Sequence, residues 1–152
     1  MKSHLKSKIK HYIKNNEGLR LKPYKCTADK WTIGYGRNLD DKGISKQEAD
    51  NMFLNDFNDT VIEVKKAIKN FDNIKFYAQM VCVDMLFNLG LTRFRQFKNF
   101  IKAIENQDYN RAAEELKYTD FSFTDLTPYW QQTKTRAIKN YNYLKDLQND
   151  AR

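Results

Sequence analysis

Cysteine is nearly absent. Cys26 and Cys82 are the only two in 152 residues, too few for a disulfide framework, and nothing indicates that they meet, so both read as thiols. Proline (two) and glycine (five) are also scarce, which excludes fibrous and disordered chains. No stretch comes near the roughly 18 uncharged residues that span a bilayer, so stable membrane insertion is not expected. Lys2, Lys6, Lys8, Lys10 and Lys14 interrupt any apolar run at the N-terminus, which therefore fails as a signal peptide and points to a protein made and held in the cytoplasm. Histidine is limited to His4 and His11, set among lysines without cysteine or carboxylate partners. Neither a metal nor another cofactor is expected.

Acid is also in deficit. Lys plus Arg number 27 against 19 Asp plus Glu, a formal net charge of +8. Such a surface attracts polyanions: nucleic acid, an anionic membrane or an acidic polysaccharide. Charge does not choose among them. What the chain does have is apolar surface, with 41% hydrophobic and 14% aromatic residues. That is enough to pack a core, and the length suits one domain at about 100 to 200 residues each.

Leu5, Ile9, Tyr12 and Ile13 repeat at helical spacing and predict an amphipathic first helix that stops near Asn15 to Gly18. Aromatic and β-branched residues on both sides of Ala28-Asp29-Lys30 predict a short hairpin. Ser45 with Glu48 forms a capping box, followed by Phe53, Phe57, Val61, Val64 and Ile68 on one face of a helix reaching about Asn70. Residues 74–89 are apolar nearly all round and predict a buried central helix closed by Gly90. Shorter stripes lie at Phe97 to Ile104 and at Tyr109 to Leu116. Thr127-Pro128 reads as an N-cap followed by proline at the first helical position, opening a helix that carries Ala137, Ile138, Tyr141, Leu144 and Leu147. The expected fold is α+β and mostly helical. A small N-terminal hairpin lobe, about residues 18–44, lies beside a helical lobe of about 1–16 and 45–152, with a cleft between them.

Glu17 stands where the first helix gives way to the hairpin, followed by Cys26 and Thr32, and a hairpin that folds back toward the helix end lets the three converge. The run Glu17-Gly-Leu-Arg-Leu-Lys-Pro-Tyr-Lys-Cys26-Thr-Ala-Asp-Lys-Trp-Thr32-Ile-Gly-Tyr-Gly36 resembles the active-site segment of the phage-type lysozymes (bacteriophage T4 type, glycoside hydrolase family 24). Ile44 to Ala49, Met85-Leu-Phe-Asn-Leu-Gly90 and Arg136-Ala137 resemble further blocks of that family, in the same order. Tyr118 to Leu126 is longer than its counterpart and receives no role.

The resemblance implies an endolysin that hydrolyses the β-1,4 bond between N-acetylmuramic acid and N-acetylglucosamine in peptidoglycan. Glu17 is then the general acid, in a partly desolvated setting that helps it hold its proton, with Arg136 as the cation beside it. Gly36, Phe87 and Asn88 would line the sugar site, and Arg37 and Asp56 would form an ion pair joining the hairpin lobe to the next helix. Cys26 admits two roles with Thr32: positioning the attacking water in an inverting reaction, or acting as a nucleophile. A free thiol, with a reference pKa of about 8.5, is a weak base at neutral pH, and an ionised Glu17 nearby would weaken the thiolate further. The resemblance also implies a monomer in the host bacterial cytoplasm, released to the wall by a holin, with no nucleic-acid partner. The alternatives are a lytic transglycosylase acting on the same bond, and a non-enzymatic basic module that binds wall polymer or nucleic acid; the nucleic-acid reading leaves the Glu17, Cys26, Thr32 spacing unexplained. Cys82 reads as a small core hydrophobe. Packing is the commoner fate of residues such as Trp31 and Trp130, though either would suit a sugar ring.

Overall fold

Gly18 stops the first helix. At φ 70° it turns the chain out of helical geometry while its N–H still donates to the Lys14 carbonyl at 3.0 Å. A computed structural model describes residues 3–119 and 124–149. The chain forms two compact units, Met1–Met52 and Phe53–Arg152. The first holds α1 (Ser3–Glu17), which the sequence grouped with the helical lobe. α1 has the predicted apolar stripe but buries none of its residues.

β1 (Arg20–Lys25) and β2 (Trp31–Gly34) are antiparallel, with Tyr24 opposite Thr32 and Lys25 opposite Trp31. The register slips between Arg20 and Tyr24, in the stretch where Pro23 has no N–H to give to the ladder. A third strand, β3 (Arg37–Asn38), pairs with β2 and completes the order β1-β2-β3. Asn38 then caps α2 (Leu39–Lys42) by accepting the Asp41 N–H at 3.0 Å. α3 (Lys46–Ala67) opens on the predicted capping box: Ser45 N–H donates to Glu48 Oε2 at 2.8 Å, and Glu48 N–H to Ser45 Oγ at 3.2 Å. Among the described residues of this unit, Thr32 alone is buried. The hairpin is therefore held by hydrogen bonds and ion pairs more than by a core.

The core lies in the second unit, which begins inside α3. There α4 (Phe76–Leu89) buries Ala78, Val81, Cys82, Met85 and Leu86, and it ends at Gly90, as predicted. Around it pack α5 (Leu91–Phe94), α6 (Lys98–Glu105), α7 (Tyr109–Lys117), α8 (Pro128–Thr133) and α9 (Thr135–Asn149). They contribute Phe94, Phe100, Ile104, Leu116, Tyr129 and Leu144, each removing about 1.5–3 kcal/mol of apolar surface from water. The apolar stripe of α3 is only half used: Val64 and Ile68 are buried, while Phe53 and Phe57 are exposed. Thr127 caps α8 by accepting the Trp130 N–H at 3.1 Å and donates its own hydroxyl proton to the Leu116 carbonyl at 2.8 Å.

The single helix expected from Pro128 onward is two helices, because Lys134 takes a left-handed φ of 38° between them. The unassigned segment is closed at its base. Tyr118 and Leu126 form an isolated bridge, and Thr119 N–H donates to the Asp125 carbonyl at 2.8 Å; residues 120–123 of that segment lie outside the described residues.

Candidate active site

Glu17 is the last residue of α1, and its carboxylate lies over the backbone of Gly36 in the turn from β2 to β3. A β-carbon at residue 36 would sit 2.5 Å from Glu17 Oε2 and 3.3 Å from Cδ, and Gly36 itself is at φ 72°. Glycine is the residue that satisfies both conditions. Glu17 is exposed, so the partly desolvated setting expected of it is not supplied by its own unit.

Cys26 and Thr32 meet at the other end of β2. The turn joining β1 to β2 closes with Cys26 N–H donating to the Lys30 carbonyl at 3.0 Å and Asp29 N–H to the Cys26 carbonyl at 2.9 Å; Asp29 is left-handed at φ 55°. The buried Thr32 hydroxyl donates to the Lys30 carbonyl at 3.1 Å and reaches the Cys26 thiol. The thiol is held below its ordinary pKa. The amide of Lys30 lowers it most, then that of Ala28; desolvation opposes them, and the Thr32 hydroxyl adds to the lowering. The direction is opposite to the rise expected from an ionised Glu17 nearby. The turn was visible in the sequence, but not that its amides would point at the sulfur.

Two expected ion-pair partners are engaged elsewhere. Arg37, expected to pair with Asp56, has Nη1 on Glu48 Oε1 and Nε on the Gly43 carbonyl at 2.8 Å. The same Glu48 side chain caps α3, and that local bond is what places it beside the arginine. Asp56 is an exposed residue of α3 whose backbone carbonyl accepts the Thr60 hydroxyl. Arg136, expected beside Glu17, grips Asp84: Nε lies 3.0 Å from each carboxylate oxygen and Nη2 2.8 Å from Oδ1. Phe87 and Asn88 are exposed at the end of α4, and Phe87 rests on Phe53 with ring centroids 5.7 Å apart.

Sequence reasoning missed three residues: Lys30, whose ammonium is 3.0 Å from Asp41 Oδ1; Asp41 itself; and Asp84. Each makes its contact through a separate element, so no local pattern announces it. Trp31 is exposed, with the Lys25 ammonium 4.8 Å from its ring centre, whereas Trp130 is partly buried and packs edge-on against Tyr141. A concavity of about 650 Å³ in the second unit, lined by Arg93, Phe97, Lys98, Phe100 and Tyr129 among others, contains none of the expected site residues. Among the described residues no group of three or more His, Cys, Asp or Glu could hold a metal ion.

The phage lysozyme family profile matches residues 14–124. The chain is 32% identical to an endolysin of Acyrthosiphon pisum secondary endosymbiont phage 1, over 74% of this chain and 77% of that protein. It is 28% identical to the protein named "Probable T4-type lysozyme 1" of Dictyostelium discoideum, over 73% and 82% of the two chains.

Proposed function

Because the chain belongs to the phage lysozyme family, we propose that it is an endolysin, a muramidase that hydrolyses the β-1,4 bond between N-acetylmuramic acid and N-acetylglucosamine in peptidoglycan. The carrying observation is that Glu17, at the end of α1, lies against Gly36 in the turn after β2, and that Thr32 of β2 reaches the Cys26 thiol, so the three expected residues belong to one unit. Glu17 protonates the leaving O4 oxygen. Water, held by Cys26 and the Thr32 hydroxyl, attacks C1 from the opposite face, and its proton passes to the Cys26 sulfur in the thiolate form, which the turn amides favour. The inverting reaction is the one that the family resemblance implies, with Cys26 and Thr32 positioning the water; the nucleophile reading of Cys26 is the alternative.

In this reading the bound saccharide supplies the desolvation that Glu17 needs. Gly36, Phe87 and Asn88 are the residues assigned to sugar, with Arg37, Asp56 and Arg136 in supporting roles. No helix among the described residues is long and apolar enough to cross a membrane. The reading has the enzyme act as a monomer and assigns its passage from the host cytoplasm to the wall to a separate holin-type protein.

Digestion of purified peptidoglycan, with products analysed by mass and by anomer, tests the proposal. The expected products carry reducing muramic ends of inverted configuration. Products ending in 1,6-anhydromuramic acid would make the protein a lytic transglycosylase, and no release at all would leave a wall-binding module.

A further inference from the structure

The net charge is not spread evenly along the chain. Met1–Met52 carries 12 Lys plus Arg against 6 Asp plus Glu, a net +6 of the chain's +8. Much of it stands on α1, whose 15 residues include Lys6, Lys8, Lys10 and Lys14 and a single acid, Glu17, at the last position. The apolar side of the same helix is uncovered. Leu5, Ile9, Tyr12 and Ile13 are between 45% and 68% exposed, and within their unit the strands and α2 pack on one another without any of them lying along α1. Lys14, with its ammonium 4.8 Å from the centre of the Tyr35 ring, ties the C-terminal end of the helix to the turn after β2.

At about 100° per residue, the four apolar side chains fill a sector of about 100°. Lys6 lies just beyond one edge of it and Lys8 just beyond the other, while Lys10 and Lys14 follow on the far side. Long lysine stems at such borders lie along an apolar surface and lift their ammonium groups to the level of phosphates. We propose that α1 is a membrane-docking helix, which lays its apolar stripe into the surface of a bilayer rich in anionic lipid while Lys6 and Lys8 engage the headgroup phosphates. It rests in the surface and does not cross: 15 residues at about 1.5 Å each reach about 22 Å, short of the roughly 30 Å hydrocarbon layer. A protein face is a poorer partner. Its apolar side chains would cover the stripe and leave the bordering ammonium groups unmatched, and a second copy would set one +6 unit against another. Anionic lipid meets both requirements at once, and docking of this kind uses none of Glu17, Cys26 and Thr32.

Co-sedimentation of the intact protein with vesicles of phosphatidylethanolamine and phosphatidylglycerol, against vesicles of phosphatidylcholine, tests the proposal. The wild type should sediment with the anionic vesicles and not with the neutral ones. Ile9→Gln with Ile13→Gln leaves the charge unchanged and should weaken binding by about tenfold or more. Lys6→Gln with Lys8→Gln should weaken it by about fivefold for each lysine. Lys66→Gln with Lys69→Gln removes the same charge from the second unit and should leave binding close to wild type. Because α1 contributes no buried residue, circular dichroism, thermal melts and cleavage of purified wall should not change in these variants. Leu5→Gln repeats the measurement should the double isoleucine variant fold poorly. No binding, or equal binding to both kinds of vesicle, overturns the proposal. So does an equal loss in the Lys66 and Lys69 variant, since net charge alone then suffices, and so does unchanged binding by the isoleucine variant. A lower melt in that last case would mean that the stripe packs on the rest of the chain, and a dimer in ultracentrifugation that the substitutions dissolve would mean that a second copy covers it.

Discussion

Glu17→Gln should lower wall cleavage by about 10²–10⁴-fold, the range that a positioned general acid contributes, and leave folding intact. The glutamine keeps the size and the hydrogen-bonding head but has no proton of suitable acidity to give. Because Glu17 is exposed at the C-terminal end of α1, where a negative charge opposes the helix dipole, its loss removes no stabilising contact. A thermal melt should therefore be unchanged or slightly raised. Gly36→Ala reaches the same carboxylate by another route. The new methyl group would occupy the place of Glu17 Oε2 and push the acid off its seat, and a misplacement of about 1 Å can reduce turnover by about 10²-fold. The positive φ adds about 1–2 kcal/mol of strain for a residue with a β-carbon. Cleavage assays paired with unfolding curves separate the two: Gln should lose activity alone, Ala both. Cleavage by Glu17→Gln within tenfold of wild type would remove Glu17 as the acid.

Much of the fold was legible because its signals are local. The Ser45–Glu48 capping box, the Gly18 and Gly90 stops and the Thr127-Pro128 helix start each satisfy backbone groups within a few residues, and each is realised. What stayed hidden is either too short or decided at a distance. β3 has two residues, α2 and α5 have four each, and no periodicity shows in so few. The break at Lys134 carries no glycine or proline to mark it. Phe53 and Phe57 fit the helical stripe perfectly well and still lie exposed, since spacing defines a face without saying what covers it.

The candidate site divides along the same line. Glu17, Cys26 and Thr32 were readable from one continuous segment, and the close approach of Gly36 to Glu17 follows from that segment folding back on α1. The lowered thiol pKa of Cys26 was not readable, because it depends on the directions of two turn amides. The partner of Arg37 was misjudged for a related reason. Glu48 looked fully employed as a cap, yet its carboxylate has two oxygens, one for Ser45 and one for the guanidinium.

Asp84→Ala should destabilise the second unit by about 2 kcal/mol, and it should do so by stranding its partners. The carboxylate joins α4 to α9 by accepting from Arg136 through Nε and Nη2 and from Asn140 Nδ2 at 2.7 Å; Asn140 in turn donates to the buried Tyr129 hydroxyl at 2.9 Å. Removing one partner of a fully buried pair costs about 3–5 kcal/mol. Here the Arg136 and Asp84 side chains are 40% and 30% exposed, so water takes up part of the lost bonding, whereas Asn140, at 4% exposed, lies beyond its reach. Asp84→Asn keeps one acceptor oxygen and should lose about half as much. The decisive measurement is a double-mutant cycle by urea unfolding with Arg136→Ala, because contacting residues couple by about 0.5–3 kcal/mol. Strong coupling makes the pair a device that fixes the guanidinium on the α4–α9 seam. Additive single effects would mean that each residue is held by something else.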